Sequence, residues 1–271
     1  LSTVQNSRDH RKICVIDGKV AFTGGVNLAD EYANEITRFG HWKDTAIMLK
    51  GDAVQSFTML FLEMWAVNQI EPADCQNYLT PKRVVPDPPH GYVIPYGDHP
   101  YDNENVGEEV YFHILNHSKK YVHIMTPYLI LDSEMITTLT RAAKSGIEVI
   151  IIMPHIPDKW YAFVLAHTYY KELIQAGVSI YEYTPGFVHA KVFVADDDTA
   201  TVGTINLDYR SLYLHFECGA YIYDHPVVVD IERDFQETLK KCQKISLTEV
   251  ENRPVTHKVM GQILRLIAPL M

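Results

Sequence analysis

The spacing of apolar residues along the chain alternates between the period of a strand and that of a helix. Val149-Ile150-Ile151-Ile152-Met153 is an unbroken apolar run whose length and β-branched content predict a buried strand. Around it the pattern predicts a helix over 107–118, a strand over 121–126, a helix over 133–145, a strand over 148–153 and a helix over 160–176. Strands over 178–183, 190–195 and 199–202 follow. Upstream lie a strand-like run over 12–22, a short strand over 45–49 and a helix over 53–69. Residues 81–89, with four prolines, interrupt the pattern and read as a boundary. Strands alternating with helices predict a layered α/β fold with a largely parallel sheet.

An internal repeat is the most informative feature. His10-Arg11-Lys12, four residues, Asp17, six residues and Gly24-Gly25-Val26-Asn27 form the first copy. His189-Ala190-Lys191, four residues, Asp196, six residues and Gly203-Thr204-Ile205-Asn206 form the second. Every interval matches. At an average frequency of about 5% per residue type, chance does not produce such a recurrence, so the chain holds two homologous half-sites.

Residues i and i+2 of a strand share a face, so His10 projects with Lys12 and His189 with Lys191. Asp17 and Asp196, at i+7, fall on the other face and are expected to hold the following turns. Gly24-Gly25 and Gly203-Thr204 let the backbone approach a ligand, where Asn27 and Asn206 can each donate an amide N–H. Two imidazoles, two ammonium groups and two amides suit a phosphodiester. The lysines and asparagines bind its oxygens, one histidine attacks phosphorus, and the other protonates the leaving alkoxide. A carboxylate is expected to orient each imidazole, and Asp44 and Glu217, which follow the two copies at similar distances, are the candidates. The other histidines, His215 among them, read as packed or surface residues. No His/Asp spacing reads as a metal site, and the chemistry calls for no cofactor.

Composition narrows the partners. The 271 residues carry 24 Lys and Arg against 34 Asp and Glu, a formal charge of −10. That balance disfavours a protein that works by coating nucleic acid, while leaving room for a local basic pocket. Cys14, Cys75, Cys218 and Cys242 have no ligand spacing and read as free thiols. No stretch reaches the roughly 20 apolar residues of a membrane span. The chain opens without an initiating Met or a signal-peptide pattern, which reads as an internal piece of a longer polypeptide.

The duplicated motif resembles that of the phospholipase D superfamily, and its context is most similar to the bacterial cardiolipin synthases. The supporting residues are the stretch from His10 to Tyr32, Thr126-Pro127-Tyr128, Met153-Pro154 with Pro157-Asp158, and Glu251-Asn252-Arg253-Pro254. The resemblance implies two pseudo-symmetric α/β/α repeats with mixed, largely parallel sheets, the first repeat truncated. Residues 1–80 would be the end of the first domain, 81–106 a linker, 107–248 the second domain and 249–271 an amphipathic tail. It implies catalytic roles for His10, Lys12, Asp17, His189, Lys191 and Asp196, with His10 as nucleophile, although pseudo-symmetry alone does not choose between the histidines. The implied reaction is phosphatidyl transfer between two phosphatidylglycerol molecules at the cytoplasmic membrane, without cofactor, metal or nucleic acid. Exposed sheet edges would favour self-association, the number of copies being open.

Three alternatives remain at this level: a hydrolase that uses water as acceptor, a nuclease of the same superfamily, and an inactive lipid-binding module. Val259, Ile263, Leu266, Ile267 and Leu270 recur at helical spacing near Lys258 and Arg265. They read equally as an interfacial membrane helix or a terminal helix packed on the core.

Overall fold

The computed structural model describes residues 7–67, 75–79 and 90–270. In chain order the strands are β1 (Cys14–Ile16), β2 (Val20–Gly24), β3 (His41–Lys43), β4 (Ala46–Lys50), β5 (Tyr92–Asp98), β6 (Tyr121–Met125) and β7 (Glu148–Pro154). They continue with β8 (Ser179–Tyr183), β9 (Gly186–Val188), β10 (Val192–Ala195), β11 (Thr199–Gly203), β12 (Glu217–Tyr223) and β13 (Cys242–Lys244). The helices are α1 (Ala53–Ala66), α2 (Val106–His117), α3 (Ser133–Lys144), α4 (Trp160–Ala176), α5 (Tyr209–Tyr213), α6 (Val227–Leu239), α7 (Leu247–Glu251) and α8 (Val255–Ile267).

An eight-stranded sheet in the order β13-β8-β7-β6-β10-β11-β12-β5 forms the centre of the fold. It is mixed, and the expectation of a largely parallel sheet fails. Only β6–β7 and β7–β8 pair in parallel, because only there does a helix carry the chain back across the sheet. The other neighbouring strands pair antiparallel; a short turn joins β10 to β11, and the remaining pairs bring together strands distant in sequence or separated by α5. β10 is buried along its whole length, as a strand covered on both faces must be. One face packs against α2, α3, α4 and the terminal helices, with Leu139, Leu165, Tyr169 and Phe193 in the layer. The other receives α6 and a second sheet, β1-β2-β4, through Ala21, Ile47, Leu49, Val194, Val202 and Phe235.

Local chemistry sets the helix ends. Asp132 caps α3 by accepting the Met135 N–H at 2.7 Å, and Gly177 ends α4 in the left-handed region at φ 106°. The run over 12–22 folds as a hairpin, since Asp17 and Gly18 both take positive φ and turn the chain between β1 and β2. The predicted helix over 53–69 is α1 as far as Ala66, and its remaining positions 68 and 69, like the proline-rich stretch 81–89, lie outside the described residues. Within the expected linker, 92–98 form β5, an edge strand on β12. Its Pro95 and Gly97 are tolerable at an edge and conceal it from a pattern reading.

Phe57 of α1 is fully buried between the two sheets. Phe57→Ala is expected to destabilise the protein by about 3–5 kcal/mol, read from denaturant unfolding. A loss below about 1 kcal/mol would mean that α1 does not clamp the sheets together.

Candidate active site

Two backbone seams join the motif copies. β3 pairs in parallel with β9, Trp42 opposite Phe187, and the seam continues as the His189 N–H donates to Lys43 O at 2.7 Å. At the other copy Phe216 N donates to Arg8 O at 2.8 Å and His10 N to Phe216 O at 2.9 Å. Asp44 follows Lys43 and Glu217 follows Phe216, so each histidine is placed beside the carboxylate that follows the other copy. The side chains complete the exchange. His10 Nδ1 lies 2.9 Å from both oxygens of Glu217, and His189 Nδ1 lies 2.9 Å from Asp44 Oδ2.

Carboxylates at both Nδ1 atoms put the proton there and leave each Nε2 as the reactive nitrogen. Lys12 Nζ donates to His10 O at 2.6 Å and Lys191 Nζ donates to His189 O, so each lysine turns to the same side as its histidine. The residues themselves lie just outside the regular strands. The two copies share one electrostatic field: the Lys12 charge acts on His189 and Lys191, and the Glu217 charge acts on Lys12 and Lys191.

Burial makes the halves unequal. The His189 side chain is 8% exposed against 24% for His10, and the rings of Trp42 and Tyr32 stand 5.3 and 5.2 Å from it. Burial, with the Lys191 charge, pulls the His189 imidazole down to about 3 against the opposing pull of Asp44, which favours its neutral form. Burial also pulls the Lys191 ammonium down to about 7 and lowers Lys12. For the carboxylates burial pushes upward and is outweighed. Hydrogen bonds from His10 and Thr204, with the His215 ring close by, hold Glu217 down at about 2, and His189 with the Lys191 charge keeps Asp44 below the usual range.

The Gly-Gly and Gly-Thr pairs differ because the carboxylates differ in length. A Cβ on Gly25 would stand 2.1 Å from Asp44 Oδ1, so the short carboxylate reaches His189 only over a bare backbone. The longer Glu217 leaves room for Thr204, whose hydroxyl donates to Oε2. Asn27 Nδ2 donates to Tyr32 OH at 2.5 Å and Asn206 Nδ2 to Ser211 Oγ at 3.0 Å, each keeping a second amide hydrogen. The Asn206 Oδ1 is buried without a hydrogen-bond partner.

Asp17 and Asp196 are not brought into this cluster, which corrects their catalytic assignment. Both sit at hairpin turns with φ 53° and 55°. Roughly 17 Å of extended chain separates Asp196 from Lys191. Its carboxylate accepts the N–H groups of Lys119, Lys120 and Tyr121 at 2.6–3.0 Å, tying the β10–β11 turn to the start of β6.

His215, read from sequence as a packing residue, belongs to the site. Its ring centroid is 5.6 Å from that of His10 and its Nδ1 is 3.6 Å from Glu217 Oε1. The signal was available, since His215 and Glu217 share an i, i+2 spacing on one extended segment. His10, His215 and Glu217 hold ligand atoms within 4.8 Å of one another, the one grouping among the described residues able to hold a metal ion. Glu217 already serves His10 and Thr204 there.

Comparison with known proteins agrees with this geometry. Residues 111–239 match the family model described as cardiolipin synthase, PLD-like domain. The whole chain is 56% identical over 275 residues to an uncharacterized protein of Streptococcus mutans, covering 58% of it. It is 36% identical over 271 residues to a cardiolipin synthase of Geobacillus kaustophilus, again along its whole length, covering 54% of that protein. With 98% of its length it is 37% identical over 266 residues to one of Alkalihalophilus pseudofirmus, covering 53%. The chain thus spans about half the length of the curated relatives it matches. The fold superposes along the whole chain, and on 73% of the other, with a phosphatidylserine synthase of Haemophilus influenzae at TM-score 0.75 and 15% identity. Motif, fold and full-length similarity together place the chain in the phospholipase D superfamily, close to the cardiolipin synthases.

Proposed function

We propose that the chain transfers a phosphatidyl group from one phosphatidylglycerol to the glycerol hydroxyl of another, releasing glycerol and forming cardiolipin. The observation that carries this reading is the crossed pair of histidine–carboxylate contacts with a lysine beside each. The similarity to cardiolipin synthases supports the choice of lipid. Lys12 and Lys191 hold the non-bridging oxygens, joined by the free amide hydrogens of Asn27 and Asn206. The Nε2 of His10 attacks phosphorus, the P–O bond to glycerol breaks, and His189 supplies the proton that the departing alkoxide takes. His189 then takes the proton of the incoming hydroxyl as that oxygen attacks phosphorus, breaking the P–N bond and freeing His10.

With its imidazole held down to about 3, His189 would gain the proton it delivers as the anionic phosphodiester binds. The diester's charge offsets that of Lys191, which is one cause of the depression. Tyr32, Trp42 and Phe187 screen this imidazole from water between the two steps.

Incubation with phosphatidylglycerol vesicles is expected to yield cardiolipin and free glycerol, measured by mass spectrometry. His10→Ala and His189→Ala should each abolish it. Asp197→Ala, at an exposed turn, should leave it nearly intact. Rapid quenching with peptide mapping should find the phosphoryl adduct on His10. Phosphatidic acid in place of cardiolipin would make water the acceptor, and turnover surviving in either histidine variant would end the paired-histidine mechanism.

Dimethyl phosphate, a phosphodiester that stays a monoanion, should bind more weakly as pH rises through about 7, where the Lys191 ammonium loses its proton. Lys191→Arg should flatten the dependence, since a guanidinium stays charged. Calorimetric titration giving a flat wild-type profile across this range would rule out Lys191 as the anion's main partner.

Gly25→Ala should push Asp44 away from His189 and lower kcat by about 10² or more, with a smaller effect on KM. Unchanged kinetics would show that Asp44 does not act through His189.

A further inference from the structure

α8 reverses the usual arrangement of a surface helix. Its inner side, Gly261 and Leu264, packs on α4 so closely that a Cβ on Gly261 would stand 2.6 Å from Thr168 Cγ2. Its outer side carries Val259, Met260, Ile263, Leu266 and Ile267, all exposed, Leu266 at 83%. With Val255 they fall within an arc of about 140°, interrupted only by Thr256. An ordinary globular helix turns charge to solvent here.

The surroundings indicate what covers this face. Along one flank a cleft of about 200 Å³ between α4, α7 and α8 is lined by His167, Lys171, Arg253, His257 and Lys258, with Glu251 its one acid. Glu251 pairs with Lys171 at 2.9 Å; Arg253 Nη2 stands 3.8 Å from the buried Glu182 carboxylate behind the cleft, while its Nη1 has no hydrogen-bond partner. At the other end Leu270, exposed just beyond α8, lines a cavity of about 250 Å³ with Tyr128, Lys159, Asp208 and Arg210. Asp208 is two residues past Asn206, so the apolar face runs from a basic cleft to the rim of the active site. Trp160, exposed at the start of α4, stands beside Tyr161 of the same cavity.

We infer that α8 lies flat in the surface of an anionic lipid bilayer, its apolar arc among the acyl chains and the Arg253 cleft against a lipid phosphate. A protein of net charge −10 is repelled by such a surface on most of its faces, so the approach falls to the side where basic groups adjoin apolar ones. The cavity lined by Leu270 then opens at headgroup level. The inference rests on the phospholipid reading of the active site, which it supplies with a route for the substrate.

The test compares the full chain with Ile263→Glu/Leu266→Glu, both positions exposed, and with Arg253→Gln. Sedimentation would use vesicles of phosphatidylglycerol with phosphatidylcholine, and of phosphatidylcholine alone. The wild type should bind the anionic vesicles preferentially. The double variant should bind them at least about tenfold more weakly, with an unchanged melting curve and unchanged turnover of monomeric short-chain phosphatidylglycerol. Arg253→Gln should lose the preference for anionic vesicles. Equal vesicle binding by wild type and double variant would overturn the inference. So would a wild-type dimer by light scattering that the double variant converts to monomer, since the face would then join two copies. If the vesicle pattern holds while monomeric lipid is not turned over, the docking face stands and the catalytic reading falls.

Discussion

Glu217 reaches His10, and Asp44 reaches His189, across the seam between the motif copies. This exchange is the constraint around which the rest of the structure is arranged. A histidine in either copy is oriented only when the other copy is folded against it, so neither half holds a complete catalytic dyad. The backbone seams, β3 on β9 and Arg8–His10 on Phe216, bring each carboxylate within 2.9 Å of its imidazole. The core between the two sheets, closed by Phe57 and Phe235, fixes the seams in turn. Packing far from the chemistry thereby sets the tautomer of both imidazoles.

The same exchange makes a buried cationic site tolerable. Lys191 is 2% exposed, and a buried ammonium without counter-charge is costly. Asp44 and Glu217 both raise its proton affinity, Lys12 opposes them, and burial still dominates, leaving the group near neutral pH. Such a site lacks the negative charge that a phosphodiester brings. On the proposed reaction a bound anion would raise the proton affinity of both Lys191 and His189, so that binding itself would prepare the acid. Thr204 helps to hold Glu217 ionised through Oε2, and Gly25 leaves Asp44 the space it needs to reach His189.

The sequence made the duplicated His, Lys and Asn positions legible because the spacing survives in both copies, and it marked Asp44 and Glu217 as carboxylates of interest. It could not show which carboxylate serves which histidine, since that depends on strand pairing between residues some 200 positions apart. His215 was missed because its one signal, the i, i+2 spacing to Glu217, has no histidine counterpart before Asp44, where Trp42 stands. Asp17 and Asp196 share the motif yet support turns, for the repeat preserves a fold requirement as faithfully as a chemical one. Helices and strands over 106–203 followed their apolar periodicity closely. β5 escaped because Pro95 and Gly97 break the strand signal, and an edge position is where a sheet tolerates both. The mixed sheet was unreadable for a related reason: β10 pairs antiparallel with β6 and β12 with β5, strands far apart in sequence, and apolar runs look alike in either direction.

The C-terminal helix shows how one element can satisfy two readings at once. Its spacing fitted a packed helix and an interfacial helix equally, and the structure gives it one face of each kind. Gly261 and Leu264 anchor it on α4, while Ile263 and Leu266 are left exposed. On the proposed reaction, in which both lipids are drawn from a surface, the orientation of the protein on that surface would limit access as strictly as the shape of its pocket. A rigid amphipathic helix ending at the rim of the site supplies that orientation without adding any group to the chemistry.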